Sequence, residues 1–295
     1  HFLRGKPETK PGTPVDPHAS AVLQYTGGTT GIPKAAELSH TNLVANVYQT
    51  RAWLHDLKEA RENTLLVLPL FHVYALTCLN LSVHIAAKTI LLPRFDLHEV
   101  LKAIREEKPT LFPGIPAMYA AINHSLDRAQ DKGGKSPDLS SIRICISGSD
   151  KLPGEVQSRF EELTGGRLVE GYGLTEASPV THVNPVHGLR KVGSIGLPLP
   201  DTETRIVDLE SGKDAAPGSE GEMLVRGPQV MKGYWNIPEE TAEALTGDRW
   251  LKTGDVARMD DDGFYYIVDR KKDMIITGGH NVYPREIEEV LSQLK

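Results

Sequence analysis

Three short stretches hold residue types suited to work on a phosphate ester. Residues 25–34, "YTGGTTGIPK", place Thr26, Gly27, Gly28, Thr29, Thr30, Gly31 and Lys34 within ten positions. After a buried strand, successive backbone N–H groups in a glycine-rich turn can form an anion nest, and hydroxyls and an ammonium add donors. The spacing departs from the nucleotidase pattern G-x-x-x-x-G-K-[ST]. Ile32 and Pro33 separate Gly31 from Lys34, and Ala35 follows. An ordinary glycine-rich turn is the bland alternative, and the density of threonines together with the lysine argues against it.

The second stretch is "EGYGLTEAS", residues 170–178. Gly171 and Gly173 permit close backbone approach, Tyr172 offers a flat face for a base, and Thr175 and Glu176 offer oxygen ligands. One carboxylate plus phosphate oxygens is the usual way Mg²⁺ is held beside a nucleotide. Taken alone, the stretch also suits a tight turn after a strand. In the third, "KTGD", Asp255 follows a glycine and could accept hydrogen bonds from two ribose hydroxyls. Downstream, Asp260, Asp261, Asp262 and Gly263 invite a calcium-loop reading. Setting Gly263 at the sixth loop position puts Arg258 first and Asp269 twelfth, both wrong for an EF-hand. An acidic hairpin turn is the better reading. His72, in "FHVY", is as compatible with a core histidine as with a functional one. HExxH, paired CxxC and G-x-S-x-G patterns are absent from the sequence.

These residues need elements to carry them. Ala21–Tyr25 reads as a short buried strand entering the glycine loop, and Ser39–Trp53 as a helix with a mixed apolar face from Leu43, Ala45 and Val47. Asp96 to Glu99 resembles a capping box opening a helix that ends at Lys108-Pro109. Strand-like runs at 64–70, 110–112, 142–146 and 167–170 alternate with helical ones at 117–123 and 153–163. Alternation of this kind across residues 20–175 predicts an α/β fold with a mostly parallel, doubly wound sheet. Beyond about residue 190, "VGSIGLPLPDTETRIVD", "GEMLVRG" and "GFYYIVD" are short strands between Gly, Pro and Asp turns, which predicts a small antiparallel, barrel-like unit. The expected division is 1–189, 190–268 and 269–295, the last opening a new lobe.

The net charge of −6 and the lack of a basic stripe interleaved with aromatics argue against a nucleic-acid partner. The apolar region from Leu65 to Pro93 is too interrupted for a membrane span. Cys78 and Cys145, far apart in apolar runs, read as buried free thiols of a reducing compartment.

Taken together, "YTGGTTGIPK", "LPLFHVYAL", "EGYGLTE", "GYW", "KTGD" and "DRKKDMIITGGHNVYPREIE" resemble, in order and rough spacing, the adenylate-forming superfamily of acyl-CoA synthetases, luciferases and peptide-synthetase adenylation domains. The nearest likeness is to bacterial long-chain fatty-acid–CoA ligases. The resemblance implies ATP, Mg²⁺ and CoA as co-substrates or cofactors and a fatty acid as the other partner. It further implies that Thr26 to Lys34 grip the β- and γ-phosphates, with Thr26 near the metal and Glu176 binding it. Tyr172 would stack on adenine, and Asp255, with Arg270, would fix the ribose. His72 would border the acyl pocket, and Ser147, Gly148 and Ser149 its junction with the adenine. Lys272 would be the hinge, and Gly279 would lie by the pantetheine channel. An aryl-acid ligase, a carrier-protein acylating ligase and a non-catalytic nucleotide-binding module are the alternatives.

A cytoplasmic location, peripheral contact with the inner membrane face and oligomer formation go with the same resemblance. So does the expectation of a fragment, lacking an N-terminal segment and most of a C-terminal lobe with its catalytic lysine. Ala35, Glu37, Asp150 and Lys151 depart from the usual pattern, the last two placing charge near the adenylate or acyl pocket.

Overall fold

The computed structural model describes residues 12–26, 33–131, 133, 137–277, 280–282, 284 and 291. The chain opens with strand β1 (Ser20–Thr26), strand β2 (Lys34–Ser39) and helix α1 (His40–Trp53). Strand β3 (Asn63–Leu66), helix α2 (Val73–His84), strand β4 (Lys88–Leu91) and helices α3 (Leu97–Glu107) and α4 (Pro116–Asp131) follow. Next come β5 (Ile144–Ser147), α5 (Gly154–Thr164) and β6 (Arg167–Gly173), then a single 3₁₀ turn (Thr175–Ala177) and β7 (Val180–Val183). The later part holds β8 (Leu197–Pro198), β9 (Glu203–Val207), β10 (Gly221–Arg226), β11 (Gly233–Tyr234), α6 (Pro238–Ala244), β12 (Leu251–Met259) and β13 (Tyr265–Arg270). A last pair, β14 (Ile275–Thr277) and β15 (His280–Val282), is antiparallel.

The mostly parallel, doubly wound sheet is not what forms. Among the described residues only β3 with β4 and β5 with β6 pair in parallel, joined through bridges at Leu111. All other strand pairings are antiparallel, in separate sheets: β1-β2-β11, β13-β12-β10-β9, β14-β15 and the far side of β5-β6-β7-β8. The physical reason is connection length. A parallel pair needs a crossover of about a dozen residues or more. Between β1 and β2 stand only positions 27–33, and between β6 and β7 only 174–179. Each chain reversal at a glycine-rich stretch therefore returns as an antiparallel partner, with Thr26 opposite Lys34 and Tyr172 opposite His182. The barrel-like unit is also corrected. The β13-β12-β10-β9 sheet is open, its outer strands β13 and β9 being unpaired with each other.

Two of the apolar clusters hold most of these sheets. One packs Leu65, Leu66, Phe112 and Leu168 against Ile104, Tyr119, Ile122 and Phe160 of the flanking helices. The other joins the β1-β2-β11 sheet to the β9–β13 sheet through Ala36, Leu38, Met223, Val225, Met231 and Tyr265. Where the clusters meet, α1 presents amides inward. Ser39 caps the helix, its Oγ accepting from Asn42 N at 3.1 Å while Asn42 Oδ1 accepts from Ser39 N at 2.9 Å. Asn42 Nδ2 donates to Pro228 O (2.8 Å) and Val230 O (2.9 Å), Asn46 Nδ2 to Val180 O (2.7 Å), and Gln49 Nε2 to Pro200 O (2.9 Å). Residues 260–263 form the hairpin turn between β12 and β13. Asp260 Oδ1 accepts from Asp262 N and Phe264 N, each at 3.0 Å, and Lys191 bonds both Asp260 and Asp262.

Candidate active site

Ends and turns of several of these strands open onto one cavity of about 610 Å³. β1 and β2 bring Thr26 and Lys34 to its wall. The loop before α2 brings His72, β5 delivers Gly148 and Ser149, and β6 with its 3₁₀ turn delivers Gly171, Tyr172, Gly173, Thr175 and Glu176. β12 and the end of β13 add Lys252, Thr253, Gly254, Arg270 and Lys272. Sequence positions as far apart as 26 and 272 thus face one space. Gly27, Gly28, Thr29, Thr30, Gly31 and Gly279 lie outside the described residues.

Two backbone devices make the turns. Gly173 passes so close to Pro179 that a Cβ there would stand 2.3 Å from the Pro179 carbonyl oxygen. Gly254 has φ +73°, a left-handed conformation that aims the next residue, Asp255, inward.

Asp255 is buried, at 2% exposure, yet its carboxylate is well supported. The Tyr172 hydroxyl donates to its Oδ2, Arg270 Nε lies 2.9 Å from its Oδ1, and its own N–H donates to Thr253 Oγ1 at 3.1 Å. Burial, then the adjacent Asp255 charge, pushes the Tyr172 hydroxyl well above the ordinary tyrosine range, so it stays protonated as the donor. Behind it His182 is fully buried between the Tyr172 and Tyr265 rings, with Thr181 and Thr204 hydroxyls at 2.9 and 3.1 Å from its two nitrogens. Burial lowers its pKa to about 3, and the ring is neutral.

Glu176 meets a residue that sequence spacing alone did not single out. Tyr234 Oη donates to Glu176 Oε1 at 2.6 Å, and burial, then that carboxylate, raises the Tyr234 pKa. The Tyr234 ring also lies 5.5 Å from Lys34 Nζ, whose ammonium is ion-paired with Glu240 of α6. Tyr234 sits within the quoted "GYW" but 58 positions from Glu176, too far for spacing to join them. Glu240, in "IPEE", carried no signal at all.

His72 has a structural duty as well as a place on the wall. It is the N-cap of α2, its Nδ1 accepting from Tyr74 N at 3.2 Å, so the neutral ring carries its proton on Nε2. Ser147 is brought close but not to the surface. It is fully buried between wall residues Ile146 and Gly148, and its Oγ has no hydrogen-bond partner among the described residues.

Residues 3–235 match the family model described as "AMP-binding enzyme". The chain belongs to this AMP-binding enzyme family. Among its relatives, a long-chain-fatty-acid–CoA ligase of Bacillus subtilis (strain 168) is 55% identical over 279 residues, covering 94% of this chain and 49% of that protein. A feruloyl-CoA synthase of an Amycolatopsis species is 42% identical over 283 residues, covering 95% and 55%. The solved structure of O-succinylbenzoate coenzyme A synthetase from Bacillus subtilis, in complex with ATP and magnesium ion, aligns at a TM-score of 0.83 and 32% identity. That alignment takes in 94% of this chain and 56% of the other. The chain spans about half the length of the curated relatives it matches.

Proposed function

We propose that this chain carries the nucleotide and acyl sites of an ATP-dependent acyl-CoA ligase whose acid is a fatty acid. The observation that carries the reading is one cavity edged by a lysine, a tethered glutamate and an exposed arginine, Arg270, that holds the buried Asp255 carboxylate. The 55% identity to a long-chain ligase favours the fatty acid, and the 42% identity to a feruloyl-CoA synthase keeps an aryl acid as the second reading.

The residues present fit a bound Mg²⁺. Among the described residues no group of three or more His, Cys, Asp or Glu could hold a metal ion unaided. One carboxylate on the wall, Glu176, matches an ion completed by phosphate oxygens and water. When bound, the ion would neutralise charge on those oxygens. Thr26 would be the nearest hydroxyl and Lys34 the ammonium for the β- and γ-phosphates. The ionised acid attacks the α-phosphorus, a new C(O)–O–P bond forms, and pyrophosphate leaves. The thiol of CoA then displaces AMP. No general base is needed for a carboxylate that is already ionised at neutral pH. Charge gathers on phosphoryl oxygens, so positioning and cationic stabilisation are the chief means of catalysis. Asp255, held by Arg270, would accept from the ribose hydroxyls, with Tyr172 as the platform for adenine. Gly148 and Ser149 would line the junction toward the acid, with His72 beside it. Lys272 would be the pivot of a swinging lobe, and Gly279 would flank the CoA arm.

The test is pyrophosphate and AMP release by the natural protein with a panel of fatty and aryl acids. Acid-dependent release that favours fatty acids is expected. ATP binding without turnover would leave a nucleotide-binding module instead. Glu176→Gln should lower the rate roughly 10²–10³-fold, the loss typical of removing one charged transition-state contact. Unchanged release at saturating Mg²⁺ would refute its role.

A further inference from the structure

We propose that Glu240 is a competing anion built into the site: it holds Lys34 when no polyphosphate is bound and reclaims it as the leaving pyrophosphate departs. This rests on the reading that Lys34 faces the phosphates.

The geometry comes from β11 and α6. β11 lies against β2, with Tyr234 opposite Ala36, which sets the Tyr234 ring 5.5 Å from the Lys34 ammonium. α6 is fastened to β11 by Thr241, whose Oγ1 accepts from Tyr234 N at 2.8 Å. That tie delivers the preceding residue, Glu240, to Lys34, and the two form an ion pair. The neighbouring carboxylates are engaged elsewhere. Glu37 bonds Lys232 at 2.7 Å, and Glu176 accepts from Tyr234.

The pair is accessible enough to exchange, with side-chain exposures of 17% for Lys34 and 33% for Glu240. A pair in that position is stabilised only modestly, so an incoming polyanion can take the ammonium. Glu240 stays beside the bound anion, however, and repels it. The same ammonium that stabilises departing charge would otherwise retain pyrophosphate after the bond has broken. A carboxylate waiting on α6 lowers that retention.

The experiment measures inorganic pyrophosphate binding to the natural protein, by calorimetry and as product inhibition, in a double-mutant cycle. Glu240→Gln should tighten pyrophosphate about fivefold, the factor matching the upper range for a partly exposed pair. Glu240→Asp, which keeps the charge, should stay nearer to wild type. In a Lys34→Gln background, which itself binds pyrophosphate more weakly, Glu240→Gln should have far less effect. Weaker binding in Glu240→Gln, or the same gain with and without Lys34, would overturn the competition while leaving the phosphate site standing. Undiminished binding in Lys34→Gln would overturn both. Tightening that depends on Lys34 is not what a purely structural salt bridge gives, since its loss would loosen the site.

Discussion

Tyr234→Phe isolates one bond of the site. The variant deletes the hydroxyl that donates to Glu176 Oε1 at 2.6 Å and keeps the ring beside Lys34. A hydrogen bond to a charged group is worth about 1.5–3 kcal/mol net when fully shielded. Both side chains here are only half-buried and face the cavity, so water can replace the lost donor. About 1 kcal/mol is then the reasonable share, equivalent to roughly a fivefold change in an equilibrium constant. The loss should fall on metal use, because Glu176 is no longer held in the orientation that presents its free edge to the cavity. Initial rates of pyrophosphate release across a Mg²⁺ titration should show half-saturation shifted upward about fivefold. The rate at saturating Mg²⁺ should change much less than in Glu176→Gln. An unshifted Mg²⁺ curve would refute the positioning argument, as would a loss at saturating Mg²⁺ equal to that of Glu176→Gln.

Other expectations follow from burial. His182 has a folded pKa of about 3 against an ordinary 6.5, so the unfolded chain binds the extra proton and stability falls as pH drops below 6.5. Urea unfolding from pH 7 to 4 should show wild type losing up to about 1.4 kcal/mol per pH unit more than His182→Asn, and parallel curves would remove the claim. Burial pushes the Cys78 thiol up to about 12 and the Cys145 thiol higher than usual as well. Cys145, which is buried, should resist alkylation at pH 8 until denaturant is added, and the partly buried Cys78 should react slowly through its raised pKa; fast labelling of Cys145 in the native protein would contradict this. Gly173→Ala sets a methyl against the Pro179 carbonyl and should cost about 1–3 kcal/mol in unfolding free energy, where wild-type stability would mean that the turn relaxes freely.

Local signals in the sequence were legible where they rested on short-range chemistry. Asp96 does cap α3, accepting from Glu99 N at 3.1 Å. The acidic run at 260–263 is a hairpin turn, as its failed calcium spacing suggested. Thr26 and Lys34, the described ends of the glycine stretch, line one cavity with the "YGLTE" turn, and Asp255 adjoins it through Tyr172. Alternating strand-like and helix-like runs predict crossover topology, but they carry no information on strand direction. Lys34–Ser39 was passed over as a strand, although the short link at 27–33 leaves β2 no parallel option. The mixed apolar face expected for α1 does bury Val47 and pack Leu43, but the rest of its buried side is polar: Asn42, Asn46, Gln49 and Thr50. Amides that serve distant carbonyls carry no periodic hydrophobic signal. Glu240 and Tyr234 were invisible for a related reason: their partners lie 206 and 58 positions away.

Those α1 amides also bear on the order of events during synthesis. Asn46, Gln49 and Asn42 seek carbonyls 134, 151 and 186–188 positions further along the chain. A ribosome adding about 5–20 residues per second makes those partners on the order of ten seconds or more after the helix. Until then α1 has its cap, its own backbone bonds and the Asn46–Gln49 contact, but water stands in for the distant carbonyls. Contacts of such long separation are slow to close in any case. The helix is made well before these partners and is therefore locked late, and a nascent chain released before residue 180 would display a hydrated amide face where the finished protein has a seam.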